Sequence, residues 1–437
     1  MSVPVTVLCG ELGAGKTTLL SALLESTDRD VAVLVNDVGD VNVDADLVEA
    51  RTDLEGGEEV LALENGCICC SLGGELSRSV IRLWQEHDFD HLVVEASGVG
   101  EPEPIARQFV RGPAGGPYDL EAVVTVVDAR RFHDRFADNG SDRESGTLPA
   151  APERQGEDDS GSRPLADLVL EQVEFCDLLV VNKCDLVDAA ERERVVALLE
   201  TLQPRAEIRT IEYGALDPDD LLGVERFDLE AATDAAGWKR ALEDEGGAED
   251  GTCEEHAHEH VDSDHDHDHE DDHTDHDHGH DDEHAHPPER YGIVVDGYHR
   301  RRPLHPERFA ALLSDLPDEL VRAKGLCWIA GRDRQAITMS QAGDETSLEV
   351  TGRWIASLSE DQQELYREGQ SDLEWDDEWG DRETRLALIG RGLDLETLTQ
   401  RLDDCLLTDA ELDADWSTFE NPAPTGMGET VVISGDE

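Results

Sequence analysis

Lysine is scarce in this chain. Of its 437 residues, 36 are Lys or Arg and 103 are Asp or Glu, so the formal net charge is −67. The only lysines are Lys16, Lys183, Lys239 and Lys324. Such a charge argues against nucleic acid or an anionic membrane as the main partner. We interpret it as adaptation to the salt-rich cytoplasm of a halophile, since molar salt screens charges within ~3 Å and makes the self-repulsion tolerable.

Long apolar runs and a secretory signal pattern are also lacking. No run approaches the ~18 residues that would span a bilayer, and no charged-then-apolar segment opens the chain. Nine cysteines, three of them within four positions, do not look like a secreted disulfide framework. We therefore expect a cytoplasmic protein. Apolar runs recur at regular spacing, which argues against a wholly disordered acidic chain.

The segment that organises the chain reads GELGAGKT over residues 10–17 and fits the phosphate-binding pattern G-x-x-x-x-G-K-[ST]. An apolar, β-branched run precedes it, and a helix-like run follows it. Backbone N–H groups of such a loop converge at a helix start, where the dipole adds positive potential. We predict that Lys16 reaches the β and γ phosphates and that the Thr17 hydroxyl binds Mg²⁺. The residues predicted to hold the nucleotide here are Gly10, Gly13, Ala14, Gly15, Lys16, Thr17 and Thr18.

Downstream of the loop, a predicted strand ends in an acidic residue. The run HLVVE over residues 91–95 predicts a strand that ends in Glu95, where phosphate-loop enzymes usually place a group that polarises Mg²⁺ or its water. Gly98, in the segment EASG at residues 95–98, is predicted to offer its N–H to the γ-phosphate. Together with Lys16 and Thr17, these two residues form the predicted catalytic set.

Guanine recognition is predicted by N-K-x-D at residues 182–185. Asp185 can accept hydrogen bonds from the N1–H and 2-amino group of guanine, which adenine cannot donate. Lys183 is expected to pack along the base, and Asn182 to brace neighbouring loops. The pattern alone is common by chance, but its position after a phosphate loop and an acidic strand end favours GTP over ATP.

Three thiols crowd the end of another predicted strand, at Cys67, Cys69 and Cys70. Residues i and i+2 of an extended chain point the same way, so Cys67 and Cys69 can grip one ion. Thiolates select metals such as Zn²⁺ or Cu(I) over Mg²⁺. Buried apolar thiols or a reactive vicinal pair remain alternatives. Asp37, at the end of the strand over 31–35, is a candidate further ligand, although its segment also suits a polar turn.

A histidine tract lies between two ordered regions. Residues 254–286 contain 12 histidines and 15 acids, with no Lys or Arg, so no packed core can form there. Imidazoles with carboxylates predict a loose, multi-site store for Zn²⁺, Ni²⁺ or Co²⁺, although an acidic linker with incidental histidines remains open. The predicted ligands are His256, His258, His260, His265, His267, His269, His273, His276, His278, His280, His284 and His286.

Four regions follow from these patterns. Residues 1–230 are predicted to form an α/β domain with a doubly wound, mostly parallel sheet and a disordered insertion at about 138–164. An acidic, His-rich linker covers 231–288. A smaller C-terminal α+β domain covers 289–412, and an acidic tail covers 413–437. We find no catalytic constellation in the C-terminal domain. The stretch from His299 to His305 could form a site, but we interpret these two residues as surface histidines.

The order of motifs resembles that of the CobW-type metallochaperone GTPases, relatives of the UreG and HypB nickel-insertion GTPases. The most specific part is GCICC at residues 66–70, which looks like the family's G-C-x-C-C motif. RAKG at 322–325 looks like part of the family's C-terminal domain, and a histidine-rich linker is also typical of it. One departure is Asp37, where the family usually has Glu.

The resemblance implies a slow GTPase switch that uses GTP, Mg²⁺ and Zn²⁺ or Co²⁺, with a client metalloprotein as partner. In this hypothesis the Mg²⁺–GTP state orders Asp37 and the cysteines into a metal site, and hydrolysis loosens it. Three functions stay open: a zinc chaperone, a cobalt-handling GTPase of cobalamin synthesis, and a non-enzymatic metal store. A metal-independent regulatory GTPase is disfavoured by the cysteines and histidines.

Overall fold

The structure is a computed structural model that describes residues 2–35, 60–62, 73–98, 100–137, 164–234, 291–369 and 373–434, with the single residues 236, 239 and 242. It contains a parallel sheet near the N-terminus and an antiparallel sheet near the C-terminus. No helix within these ranges is long and apolar enough to cross a membrane.

Seven strands form the first sheet, in the order β3-β2-β4-β1-β5-β6-β7, and every pairing in it is parallel. This confirms the predicted doubly wound α/β fold. The strands are β1 (Val3–Cys9), β2 (Val31–Val35), β3 (Val60–Ala62), β4 (His91–Glu95), β5 (Tyr118–Asp128), β6 (Leu178–Asn182) and β7 (Glu207–Thr210).

Helices cover both faces of this sheet, so its central strands are apolar on both sides. In β6, Leu179 and Val181 belong to one core cluster, while Leu178 and Val180 belong to the other. Continuous apolar runs are therefore what these strands require. The helices are α1 (Lys16–Ser26), α2 (Gly73–Glu86), α3 (Pro102–Val110), α4 (Ala129–Phe132), α5 (Leu165–Glu174), α6 (Ala189–Leu202), α7 (Pro218–Leu221) and α8 (Leu229–Asp234).

The second sheet has six strands in the order β13-β11-β10-β9-β12-β8, and its pairings are antiparallel. The strands are β8 (Ile293–Arg300), β9 (Leu320–Cys327), β10 (Gln335–Ala342), β11 (Glu345–Arg353), β12 (Thr384–Arg391) and β13 (Thr430–Ser434). The helices of this region are α9 (Pro306–Leu313), α10 (Glu360–Gly369), α11 (Leu395–Asp403) and α12 (Asp409–Leu412). An α+β domain was predicted, but the hairpin of β10 and β11, which turns at Gly343 with φ 57°, was not.

The segment predicted as an acidic tail over 413–437, which is described as far as residue 434, contains a strand of the second sheet. Strand β13 pairs with β11 and completes the second sheet. Upstream of β13, Arg332 donates hydrogen bonds to the carbonyl oxygens of Asn421 and Ala423, at 3.1 and 2.7 Å. Acidic composition concealed a segment that is held by strand pairing and by main-chain acceptors.

The two sheets are joined through helix α5. The guanidinium of Arg322, on β9, is fully buried and donates to Glu174 at 2.8 and 3.0 Å and to Asp167 at 2.6 Å. Beside it, Lys324 donates to Glu171 at 3.1 Å. Burial alone would raise the pKa of Asp167, but Arg322 and a hydrogen bond from Ser340 outweigh it and lower that pKa to about 2. These buried ion pairs fix the C-terminal sheet to α5.

Candidate functional site

The loop between β1 and α1 can form only with glycine at two positions. At Gly10 (φ 137°) an added Cβ would lie 2.3 Å from the carbonyl oxygen of Val126. At Gly15 (φ 106°) it would lie 2.3 Å from the side-chain nitrogen of Asn182. Both positive φ values also strain any L side chain. The loop therefore approaches strands β5 and β6 closely and leads directly into α1, which begins at Lys16.

Lys16 is buried at the start of that helix. Its Nζ donates hydrogen bonds to the carbonyl oxygens of Gly10 at 2.8 Å and Glu11 at 3.4 Å, so its charge lies inside the curve of the loop. A cation and a helix N-terminus at one place fit a bound triphosphate. Glu11 is also buried, and burial raises the pKa of its carboxyl although Arg135 lies 3.5 Å away.

Sheet register brings Glu95 to the same loop. Strand β4 pairs with β1 so that Glu95 lies opposite Leu8, and the N–H of Ala96 donates to the Leu8 carbonyl at 2.9 Å. An added Cβ on Gly98 would meet the backbone nitrogen of Leu12 at 2.6 Å. Glu95 is buried, and the structure brings both predicted residues against the phosphate loop.

The N-K-x-D segment contacts the phosphate loop from the other side. Asn182 donates to the carbonyl oxygen of Ala14 at 3.0 Å and accepts from the N–H of Gly214 at 3.2 Å, so its amide holds two loops together. Lys183, at φ 60°, donates to the carbonyl oxygen of Gly13 at 2.6 Å. Asp185 is exposed at the end of this segment, which leaves its carboxylate accessible to a base.

Two residues at this site were missed by sequence reasoning. Asp128, at the end of β5, is buried and accepts from Lys183 Nζ at 2.7 Å, while its other oxygen caps α4. The sequence does contain a signal for Asp128, because this acidic residue ends an apolar run that predicts a strand of the sheet. Tyr213 has φ 55°, and its hydroxyl bonds Asp185, which raises the pKa of the phenol. No local pattern in the sequence marks that contact.

The predicted thiol ligands lie outside the described residues. The same is true of Asp37 and of all twelve tract histidines, so only the strands that flank them can be placed. Strand β2 lies between β3 and β4, with Val35 opposite both Ala62 and Glu95. Asp37 follows Val35 by two residues, and Cys67 follows Ala62 by five. The segments that carry these candidate ligands therefore leave the sheet from neighbouring strand ends.

A parallel, doubly wound sheet, a glycine-constrained phosphate loop with an inward lysine, and an adjoining N-K-x-D segment define a P-loop GTPase. Two family models match the chain. The model described as CobW/HypB/UreG, nucleotide-binding domain, matches residues 4–210, and the cobalamin synthesis protein cobW C-terminal domain matches residues 294–406. The chain belongs to the CobW/HypB/UreG family of GTPases.

Curated relatives agree with this assignment. "Zinc-regulated GTPase metalloprotein activator 1" of Dictyostelium discoideum is 30% identical over 445 residues, covering 96% of this chain and 84% of that protein. "Zinc chaperone CobW" of Sinorhizobium sp is 33% identical over 198 residues, covering 43% of this chain and 52% of that protein. Among solved structures, the Zn(II)-bound YjiA GTPase of E. coli matches 93% of this chain and 100% of that chain, at 18% identity and a TM-score of 0.37.

Substitution of Asp185 tests guanine recognition. In Asp185→Asn, one carboxylate oxygen becomes an amide donor, which meets the 2-amino donor of guanine but suits the 2-oxo group of xanthine. We expect GTP affinity to fall by about 10²-fold or more, and xanthosine triphosphate to bind better than it does to the parent chain. Competition against a fluorescent guanine nucleotide measures both affinities.

Asp188→Asn is the matched control, because Asp188 lies three residues on and caps α6 instead. Its nucleotide preference should equal that of the parent chain. Equal GTP affinity in Asp185→Asn and Asp188→Asn would rule out Asp185 as the residue that reads the base.

Proposed function

We propose that this protein is a GTP-hydrolysing metallochaperone that binds zinc at its G-C-x-C-C site. It delivers the metal to a client metalloprotein under the control of the GTP or GDP state. The observation that carries this proposal is the register of β2, β3 and β4, whose carboxyl ends lie side by side, with β4 adjacent to β1, the strand that leads into the phosphate loop. Metal ligands on segments that leave those ends are near enough to respond to the γ-phosphate.

Chain length supports the coupling of the two sites. An extended chain spans at most about 3.6 Å per residue, so Asp37 lies within roughly 7 Å of Val35, and Cys67 within roughly 18 Å of Ala62. Val35 and Ala62 are themselves paired. We therefore assign Cys67, Cys69 and Cys70, with Asp37, to one metal site between Thr17 and Glu95 in the chain.

We assign the roles in hydrolysis from the sequence motifs, and the position of Lys16 inside the loop supports this assignment. Lys16 and the loop N–H groups hold the phosphates, and Thr17 holds Mg²⁺ through its hydroxyl. With Mg²⁺ bound, Glu95 would polarise the ion or its water, and the Gly98 N–H would bind the γ-phosphate. Asn182, Lys183 and Asp185 hold the base. The histidines of residues 254–286 store exchangeable metal, and their capacity fades below pH ~6 as imidazole gains a proton.

Zinc is favoured over cobalt by the relatives, because three of them are called zinc chaperones and two are called zinc-regulated GTPase metalloprotein activators. The ligand types alone do not separate the two metals, since Co²⁺ takes similar tetrahedral sites. Cobalt handling in cobalamin synthesis is therefore the second candidate. A direct affinity comparison decides between them.

Replacing the twelve tract histidines by asparagine, together with His299→Ala, leaves the thiol site as the transition-metal site under test in the 437-residue chain. Zn²⁺ and Co²⁺ are titrated in molar KCl and Mg²⁺, with a GTP analogue or with GDP. We expect affinity at least about tenfold tighter with the analogue, a coupling of ~1.4 kcal/mol, and tighter binding of Zn²⁺ than of Co²⁺. Equal affinity in both nucleotide states would exclude the switch.

Removal of the thiols should uncouple the GTPase from metal. In Cys67→Ala with Cys69→Ala, we expect Zn²⁺ to leave GTP turnover unchanged, whereas it should change turnover several-fold in the parent chain. The reason is that metal bound by these thiols acts on GTP hydrolysis through the segment that joins the thiols to the strand ends near the phosphate loop. Phosphate release with and without Zn²⁺ measures the effect.

Cys253→Ala is the matched control, because Cys253 lies in the linker, far along the chain from G-C-x-C-C. It should keep the response of the parent chain to Zn²⁺. If the double variant still responded to Zn²⁺ as the control does, the thiols would not be the sensor.

A further inference from the structure

A second cluster of metal-ligand side chains lies at the edge of the C-terminal sheet. It consists of His299 near the end of β8, Glu383 just before β12, and Glu374 in the preceding segment. One ligand atom from each lies within 4.8 Å of the other two, and His299 Nε2 is 2.9 Å from Glu383 Oε2. Antiparallel pairing of β8 with β12 places Arg385, two residues after Glu383, opposite His299. The first two ligands are therefore fixed by the sheet.

The cluster also contains competing positive charge. Arg301 pairs with Glu374, and its Nε lies 3.8 Å from Glu383. Arg385 is the other cation that acts on the cluster. The hydrogen bond between His299 and Glu383 raises the pKa of the imidazole, and it lowers that of the carboxyl against the opposing effect of burial. His299 Nε2 and a carboxylate oxygen of Glu383 therefore already face each other across a direct contact of 2.9 Å.

We propose that His299, Glu374 and Glu383 form an exchangeable site for a divalent transition metal. One imidazole nitrogen and two carboxylate oxygens suit Zn²⁺, Co²⁺ or Ni²⁺, whereas Mg²⁺ prefers oxygen alone. Three protein ligands leave a coordination position open to water or to an incoming ligand. Separations up to 4.8 Å close to a coordination sphere through rotation of the exposed Glu374 side chain.

Arg301 makes this site one for exchange and not for storage. A bound ion displaces a guanidinium from both carboxylates, so every binding event loses those contacts. Metal is then held more weakly than it would be by the three ligands alone. This site shares no residue with the G-C-x-C-C segment, so the inference stands independently of the proposed switch.

The test uses the full-length chain with the twelve tract histidines replaced by asparagine and Cys67, Cys69 and Cys70 replaced by serine. Co²⁺ and Zn²⁺ are measured by equilibrium dialysis in molar KCl. We expect one ion per chain, and an affinity at least tenfold lower after His299→Ala or Glu383→Gln. Because Glu374 is exposed, Glu374→Gln gives the same reading if a variant at Glu383 does not fold.

The metal affinity of the Arg301→Gln variant is the decisive measurement. Removal of the competing cation should raise metal affinity at least tenfold if the three residues bind metal, since the guanidinium competes with the ion for both carboxylates. Glu378→Gln, in the loop between Glu374 and Glu383, is the matched control and should bind as the parent chain does. An absence of bound ion in the parent chain, unchanged binding in His299→Ala, or unchanged affinity in Arg301→Gln would each show that the cluster is only a network of ion pairs.

Discussion

Lys16→Ala should lower the rate constant of GTP hydrolysis by about 10³-fold or more. The Lys16 ammonium lies inside the curve of the phosphate loop, against the carbonyl oxygens of Gly10 and Glu11. It is therefore placed where charge develops on the phosphoryl oxygens, and loss of one such preorganised donor costs ~3–4 kcal/mol or 10²–10³-fold elsewhere, more for a full charge. Phosphate release under single-turnover conditions measures the loss.

Lys239→Ala is the control for this substitution, since Lys239 is one of only four lysines and lies away from the phosphate loop. Its turnover should match that of the parent chain. Residual turnover in Lys16→Ala within tenfold of that of Lys239→Ala would mean that the loop does not bind the reacting phosphates as described.

Arg322→Ala should destabilise the protein by about 3–5 kcal/mol, because it leaves the carboxylates of Asp167 and Glu174 buried without their shared cation. The control is Arg302→Ala, which breaks an exposed pair with Asp409 and should cost at most about 1 kcal/mol. Thermal and urea unfolding in molar KCl compare the two. Equal losses would show that the buried pairs contribute no more than a surface contact.

The dependence of stability on acid pH should report the same buried ion pairs of Arg322. The pKa of Asp167 is lowered to about 2 in the folded chain, below its value of about 3.9 in an unfolded chain. Its ionised form therefore stabilises the fold above pH ~4, and that contribution is lost as the pH falls toward 2. In Arg322→Ala this part of the acid dependence should disappear, which titration of stability between pH 5 and 2 detects.

Sequence reasoning succeeded where short motifs with fixed residue spacing determine the chemistry. The glycines of the phosphate loop and the apolar strand before it fixed the start of the first domain, and residues 182–185 identified a P-loop enzyme that uses GTP. The parallel sheet followed from continuous apolar runs separated by helices. In each case a local pattern is tied by backbone geometry to one structural outcome.

It failed where a residue acquires its role from distant partners. From the sequence, Asp128 was only the last residue of a predicted strand, and its contact with Lys183, which follows β6, became visible only in the structure. His305 was interpreted as a surface residue, which is wrong, because the residue is buried and its ring lies tilted against that of Phe419, with centroids 4.5 Å apart. The β-branched run TVVIS at 430–434 was a readable strand signal, but the surrounding acidic composition concealed it.

Helix α5 belongs to the first domain by position, but its acidic residues complete the buried charge pairs of the second. Three residues separate α5 from β6, the strand that ends at Asn182. An engineer who exchanged C-terminal domains between relatives at the linker would therefore separate Arg322 from its native partners. A working chimera has to include α5 from the same protein as the C-terminal domain, or transfer Asp167 and Glu174 together with Arg322.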